Sequence, residues 1–195
     1  QALPTATTSA SPGSDVPTGF IMRQGAGFSI AVPADWVPRP ENMRLKQAAM
    51  DIGVPFTGQP YPPPRLLAFL ERDLVGPLNV REPILRAQLQ GQLAANATLG
   101  AAEHVKIKGA DDAIEFEVTY TTAASTSVLD TPLEATDMRQ IELLVETEGL
   151  PKFGFRFSAP AAQFDKATWQ TIRDSITVRP QDVRNSGDPS PTPST

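Results

Sequence analysis

The stretch Ala113-Ile-Glu-Phe-Glu-Val-Thr-Tyr120 alternates apolar and polar side chains with a period of two residues. The stretch Lys152-Phe-Gly-Phe-Arg-Phe-Ser158 repeats this pattern, with three phenylalanines on one side. Such alternation is typical of antiparallel strands that lay one face on an apolar core. The two stretches therefore predict an α+β fold, an antiparallel β-sheet with helices packed on it.

Other elements are predicted around these two hairpin strands. Residues 28–33 and 66–71 are apolar and rich in strand-forming side chains, which indicates two further strands. A helix is predicted over residues 83–99, opened by a proline and ended by a glycine. Asp165 is placed to cap a second helix. Residues 176–178 then close the fold as a short strand.

The alternation also predicts the register of the two hairpins, because a slip of one residue would turn the apolar set to the other face. In the first hairpin, Ile107 is expected opposite Ile114, which puts His104 opposite Glu117. The second hairpin requires a loop with an odd number of residues. Residues 149–151 can supply it, with a glycine first that can adopt positive φ.

Composition excludes several classes of function. The chain has 195 residues and a net charge of −5, which argues against nucleic acid and against docking on an anionic membrane. It has no cysteine, so disulfides and thiolate metal sites are excluded. No apolar run approaches the roughly 18 residues that span a bilayer, so a membrane is expected only through a tether outside this sequence.

The ends of the chain differ from the middle in composition. Residues 1–17 are almost wholly Ser, Thr, Ala, Pro and Gly, and residues 181–195 are rich in Pro, Ser and Thr. Segments of this kind bury too little apolar area to fold and act as extended spacers. We therefore expect a disordered linker over 1–17, a single α+β domain over 18–180 and a disordered tail over 181–195. Spacers at the ends of a folded domain favour an extracytoplasmic protein, secreted or attached to the cell surface.

Candidate catalytic groups are few. His104 is the only histidine, and its predicted position pairs it with a glutamate rather than with a nucleophile. Asp111 and Asp112 lack the ligand spacing of a known metal site. Glu142, Glu146 and Glu148 lie near one another in sequence but are expected to be solvated. The sequence therefore predicts no catalytic residue, no metal site and no cofactor, and indicates that the protein is not an enzyme.

The most distinctive segment outside the predicted core is rich in proline. Residues 54–65 contain five prolines, which makes them a loop or a polyproline II segment. Phe56, Tyr61 and Leu66 offer rigid apolar area at low ordering cost, which suits the recognition of a protein or a small apolar ligand. These three residues are the predicted partner-binding site. The alternative is a loop whose aromatic side chains pack on their own domain.

Two sequence motifs carry a resemblance. One is Phe28-Ser-Ile-Ala-Val-Pro-Ala-Asp-Trp36, which matches an opening pattern F-x-I-x-x-P-x-x-W, and the other is the closing stretch over residues 164–178, a helix leading into a strand. With the sheet pattern between them, residues 18–180 resemble the Mog1/PsbP-like superfamily, in particular actinobacterial secreted proteins and lipoproteins of the LpqN type. The resemblance implies an α/β/α sandwich and a binding or assembly role without catalytic residues. The given residues lack a lipobox cysteine, which departs from the lipoprotein pattern.

These observations favour a non-catalytic, extracytoplasmic protein- or ligand-binding or assembly module on a flexible tether. Two alternatives stay open at this point. One is a sensor domain of a larger membrane protein, such as a receptor kinase. The other is a hydrolase whose site is assembled only by the fold.

Overall fold

The computed structural model describes residues 16–56, 62–71, 76–93, 96–126 and 132–185. The strands are β1 (Phe20–Gly25), β2 (Phe28–Pro33), β3 (Val37–Pro38), β4 (Met50–Gly53), β5 (Arg65–Glu71), β6 (Thr98–Leu99), β7 (Glu103–His104), β8 (Asp112–Thr121), β9 (Ser125–Thr126), β10 (Pro132–Leu133), β11 (Asp137–Glu146), β12 (Lys152–Pro160) and β13 (Thr177–Val178). The helices are α1 (Leu78–Gln92), α2 (Lys166–Ser175) and α3 (Pro180–Asn185), with short 3-10 turns at Glu41–Met43 and Ala161–Gln163.

A large antiparallel sheet forms the middle of the molecule. Its strands are hydrogen-bonded in the order β3-β4-β5-β12-β11-β8-β6, and β7 also pairs with β8. The two alternating stretches of the sequence are the central strands β8 and β12, with β11 between them. The predicted α+β class is therefore confirmed.

One face of the large sheet packs on a smaller sheet and on α2. The smaller sheet has the order β1-β2-β13. Phe157 of β12 lies between two indoles, at 6.0 Å from Trp36 and 5.8 Å from Trp169, and both pairs are stacked. Phe28 meets Phe155 edge-on at 5.4 Å. Such aromatic pairs stabilise the core beyond the area they bury.

The other face of the large sheet is covered by α1. Leu89 of this helix packs against Phe116 and Val118 of β8, and Leu85 reaches Ile114. The sheet is thus covered on both faces, by α1 on one side and by the smaller sheet with α2 on the other. This is the α/β/α sandwich that the resemblance implies.

The predicted register of the first hairpin is wrong. His104 lies opposite Ile114, not opposite Glu117. The reason is that Ile107 packs in the core beneath the sheet, whereas Ile114 packs under α1 on the opposite face, so the two cannot be cross-strand neighbours. β7 is only two residues long, and the chain then leaves β8 to bridge Lys108 with β13.

The second hairpin has the predicted odd loop, but it is longer than expected. β11 ends at Glu146 and β12 begins at Lys152, so residues 147–151 connect them. Gly149 has a φ of 69°, which is the positive value that the sequence predicts there.

Helix α1 begins at Leu78, five residues before the predicted start, and ends at Gln92, before the predicted end. Pro83 therefore lies inside the helix and not in its first turn. A proline at this position leaves the carbonyl of Asn79 without its helical partner. Asn79 is exposed, so water can satisfy that carbonyl. Residues 98–99 leave the helix pattern because they pair with the edge of β8.

The folded part extends beyond the predicted boundary at residue 180. Residues 181–185 belong to α3, which corrects the prediction of a disordered tail from 181. The backbone N–H of Arg179 donates to the carbonyl of Gly27, and the Arg179 side chain pairs with Asp182 at 3.0 Å. These contacts fasten the start of α3 to the small sheet. Residues 1–15 and 186–195 of the predicted linker and tail lie outside the described residues.

Candidate functional site

The structure describes two of the three predicted partner-binding residues, Phe56 and Leu66. Leu66 of β5 is fully buried and belongs to the main core, so its assignment to a partner-binding site is wrong. It is paired with Phe157 on one side and Ile52 on the other, which leaves no path to a partner. Phe56 is half-buried. Tyr61 lies outside the described residues.

A cleft of about 500 Å³ opens between α1 and the large sheet, on the face that α1 covers only in part. The helix contributes one wall, and β5, β11 and β12 contribute the floor. The lining side chains that matter here are Leu45, Phe69, Glu71, Leu85, Gln88, Gln92, Glu142, Leu144 and Arg156, with Gly154 in the floor. We call this space the α1 cleft.

Gly154 keeps the floor of the α1 cleft open. It lies in the middle of β12, directly between Leu144 of β11 and Phe69 of β5. A Cβ built at Gly154 would lie 3.6 Å from Oε1 of Glu71, which is an ordinary contact. A side chain would therefore fit at this position and would project into the cleft. Glycine inside a strand weakens the strand and often marks a place where another group approaches the backbone.

Glu142 and Arg156 form the polar floor beside Gly154. The side chain of Glu142 is only 5% exposed. Its Oε1 accepts hydrogen bonds from Arg156 Nε at 2.5 Å and from Gln140 Nε2 at 2.6 Å. Gln140 accepts in turn from the hydroxyl of Tyr120 at 3.3 Å. The expectation that Glu142 is solvated is wrong, because β11 is a central strand and both of its faces are covered.

Burial raises the pKa of Glu142 above its usual value. The positive charge and hydrogen bond of Arg156 act in the opposite direction, as does the hydrogen bond from Gln140, while the charge of Glu71 adds to the rise. The balance leaves Glu142 easier to protonate than an exposed glutamate. Burial also raises the pKa of Tyr120, which keeps its hydroxyl protonated as a donor to Gln140.

A second charged cluster borders the α1 cleft, where β5 and β11 end and β12 begins. Arg81 of α1 is fully buried, and its guanidinium donates to Oε2 of Glu71 at 2.9 and 3.2 Å. The same guanidinium lies 3.6 Å from Oε2 of Glu146, whose Oε1 accepts a hydrogen bond from Lys152. The two acids and the two bases balance in charge, so this cluster holds α1 on the sheet.

The two acids that line the α1 cleft are both paired with bases. Glu71 and Glu142 each have an arginine partner, and the described residues that line the cleft include no serine, threonine or cysteine that either acid could activate. His104 does not line the cleft: its side chain is 75% exposed and pairs with Asp112 at 3.0 Å. Across the described ranges, no three His, Cys, Asp or Glu side chains are grouped so that they could hold a metal ion.

The sequence pattern does not predict the α1 cleft. Gly154 and Arg156 lie on the polar side of the same alternation that predicts β12, and a polar side of this kind indicates exposure to solvent. Glu71 is the last residue of β5 and carries no local signal. A glycine and a charged residue two positions apart in a phenylalanine-rich strand were the available indication.

In the part of the chain that the structure describes, no helix has the length and apolar character needed to cross a bilayer.

Comparison with known proteins identifies the architecture. No protein-family model matches the sequence, and a search of curated proteins returns no significant relative. Among solved structures, LpqN, involved in cell envelope biogenesis of Mycobacterium tuberculosis, aligns with a TM-score of 0.54 at 17% identity, over 78% of this chain and 83% of that chain. Cyanobacterial PsbP (CyanoP) from Synechocystis sp. PCC 6803 aligns with a TM-score of 0.51 at 11% identity, over 87% and 98%. Identities this low bear on the fold alone, and the chain has the Mog1/PsbP-like fold.

Proposed function

We propose that the protein is a non-catalytic, extracytoplasmic binding module that holds its ligand in the α1 cleft. The observation that carries the proposal is the bare floor at Gly154. The face of the sheet beneath α1 is packed with side chains at Ile114 and Phe116, and the α1 cleft opens beside Gly154 of β12. A volume of about 500 Å³ falls within the range of small-molecule sites.

The pairing of charges supports a binding role over an enzymatic one. A glycosidase-type site needs one carboxyl held protonated and a second held ionised across a substrate. Here Arg156 and Arg81 each neutralise one of the two acids that line the cleft. The hydrolase alternative would also need a base near a nucleophile, and the single histidine does not line the cleft.

The extracytoplasmic location rests on composition and on a structural neighbour. The Ser/Thr/Pro-rich ends suit a spacer outside the cytoplasm. LpqN, which shares the fold, is involved in cell envelope biogenesis. The absence of cysteine is compatible with either side of a membrane.

Filling the α1 cleft tests the proposal. In Gly154→Leu, the new side chain projects from the floor into the space that a ligand would occupy. Gly91→Leu is the matched control, because Gly91 lies on the exposed side of α1 and a Cβ there meets nothing within 4 Å. Circular dichroism and thermal melting establish that both variants are folded.

The readout is what each immobilised protein retains from a cell-envelope extract of the organism that carries the gene, identified by mass spectrometry. Components held by the wild type and by Gly91→Leu are expected to be lost from folded Gly154→Leu. If the three proteins retain the same components, the α1 cleft is not the binding site.

A further inference from the structure

The α1 cleft presents an acid and a base whose remaining hydrogen-bonding atoms face the same space. Both hydrogen bonds from Arg81 to Glu71 end on Oε2. Oε1 of Glu71 accepts from no other residue in the described ranges and lies over Gly154. The cleft therefore contains one carboxylate oxygen that is available to a ligand donor.

Arg156 supplies the complementary group. Its Nε donates to Glu142, and its guanidinium carbon lies 5.6 Å from the centre of the Phe69 ring. The two terminal nitrogens of Arg156 donate to no residue within the part of the chain that the structure describes. A guanidinium held in this way by one carboxylate can offer its outer edge to a second carboxylate.

The spacing of these two groups suits a small zwitterion. Arg156 lies two residues beyond Gly154 on the same face of β12, which is about 7 Å along a strand. Glu71 lies on the other side of Gly154, opposite Lys152. Glu71 and Arg156 therefore flank the glycine, so an ammonium bound to Glu71 and a carboxylate bound to Arg156 would lie on either side of it.

The rest of the cleft indicates what the ligand side chain is. Phe69, Leu85, Leu45 and Leu144 line the cleft around the charged floor. Each charged group of the floor already has a partner of opposite sign, so a ligand without net charge leaves the electrostatic balance unchanged. A purely apolar ligand would cover Glu71 and Arg156 without offering them hydrogen bonds, which is unfavourable.

We propose that the α1 cleft binds a free α-amino acid with an apolar side chain. This inference rests on the proposed function, and it adds the class of ligand and the two residues that recognise it. Glu71 binds the ammonium group, Arg156 binds the carboxylate, Gly154 allows the α-carbon to approach the sheet, and the apolar wall takes the side chain.

Isothermal titration of the full chain with L-leucine and L-phenylalanine tests the proposal directly. The matched probes are 4-methylpentanoate, which lacks the amine of leucine, and 3-methylbutylamine, which lacks its carboxylate. Loss of a charge-assisted hydrogen bond is expected to weaken binding of either probe about tenfold or more relative to leucine. Backbone amide shifts at Gly154 and Phe69 on addition of leucine locate the site.

Substitutions assign the two ends of the ligand. Glu71→Gln is expected to weaken leucine binding about tenfold or more while changing 4-methylpentanoate binding little, because that probe carries no ammonium. Arg156→Gln is expected to weaken leucine binding about tenfold or more while changing 3-methylbutylamine binding little, because that probe carries no carboxylate. Glu134→Gln removes an exposed carboxylate away from the cleft and serves as the control.

Some results would overturn the inference without depending on the stability of any variant. If wild-type protein binds either single-charge probe as tightly as leucine, the site recognises one charge and not a zwitterion. If neither amino acid binds at millimolar concentration, the ligand class is wrong. The extract experiment with Gly154→Leu decides separately whether the cleft binds anything.

Discussion

The Arg81 guanidinium is fully buried between α1 and the sheet, and it reaches the carbonyl oxygens of Val145 on β11 and Phe153 on β12 at 3.0 and 3.2 Å. One side chain of the helix thereby satisfies main-chain acceptors on two neighbouring strands while also holding Glu71. No other described residue of α1 makes hydrogen bonds to β11 and β12.

Arg81→Ala should therefore destabilise the protein strongly. The substitution leaves Glu71 without its arginine and two buried carbonyls without a donor, and breaking a buried ion pair typically costs about 3–5 kcal/mol. Urea unfolding measures the loss. Gln90→Ala, on the exposed side of the same helix, should change the unfolding free energy by less than about 0.5 kcal/mol. Equal values for the two variants would show that Arg81 does not anchor α1.

Glu142→Gln should change the pH dependence of stability. Because burial raises the pKa of Glu142 in the folded state above the usual 4.5, the folded protein holds its proton more tightly than the unfolded chain. The stabilisation that Glu142 contributes is fully present below about pH 4.5 and is lost as the pH rises through the pKa of Glu142 in the folded protein. Between pH 4 and pH 8, the unfolding free energy of the wild type should therefore fall relative to that of Glu142→Gln. If it instead rises relative to the variant, the pKa of Glu142 is not raised in the folded protein.

Asp51→Asn should show the opposite pH dependence. Burial acts to raise the pKa of Asp51, but hydrogen bonds from Arg65 and from the Leu45 N–H, with the charges of Arg65 and Arg39, lower it below its usual 3.8. The stabilisation is present above about pH 3.8 and is lost as pH falls through the folded value. The wild type should be more stable than Asp51→Asn at pH 7, and urea titrations toward pH 2 should bring the two curves together. A gap that persists at the lowest pH would show that the effect is not one of charge.

Leu66→Ala distinguishes a core role from a recognition role. Leu66 is fully buried, so truncation should lower the unfolding free energy by about 2–5 kcal/mol. Val80→Ala, at an exposed position on α1, should cost less than about 0.5 kcal/mol in the same chemical denaturation assay. If Leu66→Ala keeps the native stability but retains fewer components of the extract, Leu66 takes part in partner binding after all.

His104→Ala should leave the protein almost unchanged. The imidazole is largely exposed, and its pair with Asp112 is of the surface type that contributes about 0–1 kcal/mol. Chemical unfolding and retention from the extract should both match the wild type within error. Loss of retention by a stably folded variant would revive the enzyme alternative.

The sequence predicts the sheet because alternation reports directly which residues share a face. It does not report whether the second face is covered. Glu115 occupies a polar position of β8 and yet accepts hydrogen bonds from Trp169 Nε1 at 3.0 Å and from Arg173 at 2.8 Å, both on α2. The sequence of a strand covered on both faces can therefore show the same alternation as that of a strand with one solvent-exposed face. This happens when its long polar side chains form hydrogen bonds with the layer that covers them.

Neither the start of α1 nor the α1 cleft can be predicted from the sequence, and the reasons differ. Pro83 indicates a helix start, because prolines favour first turns. In the structure it lies deeper in the helix, which is tolerated because Asn79, whose carbonyl loses its helical partner, is exposed. That exposure depends on the tertiary structure and cannot be inferred from local sequence. The cleft combines Glu71, Glu142 and Arg156, which are far apart along the chain and meet only through strand pairing. Local spacing carries no signal for such a site, whereas the proline content of residues 54–65 is visible in the sequence.

At Gly154, the open floor of the α1 cleft and the stability of the sheet favour different residues. Residues with branched or aromatic side chains favour the centre of a strand, and a Cβ at Gly154 would meet its neighbours at ordinary distances. Replacing the glycine by valine would therefore stiffen the strand and occupy the cleft in a single step. Directed evolution of this protein for heat resistance alone would tend to select such a change, so thermostable variants should be screened for ligand retention before they are used in place of the wild type.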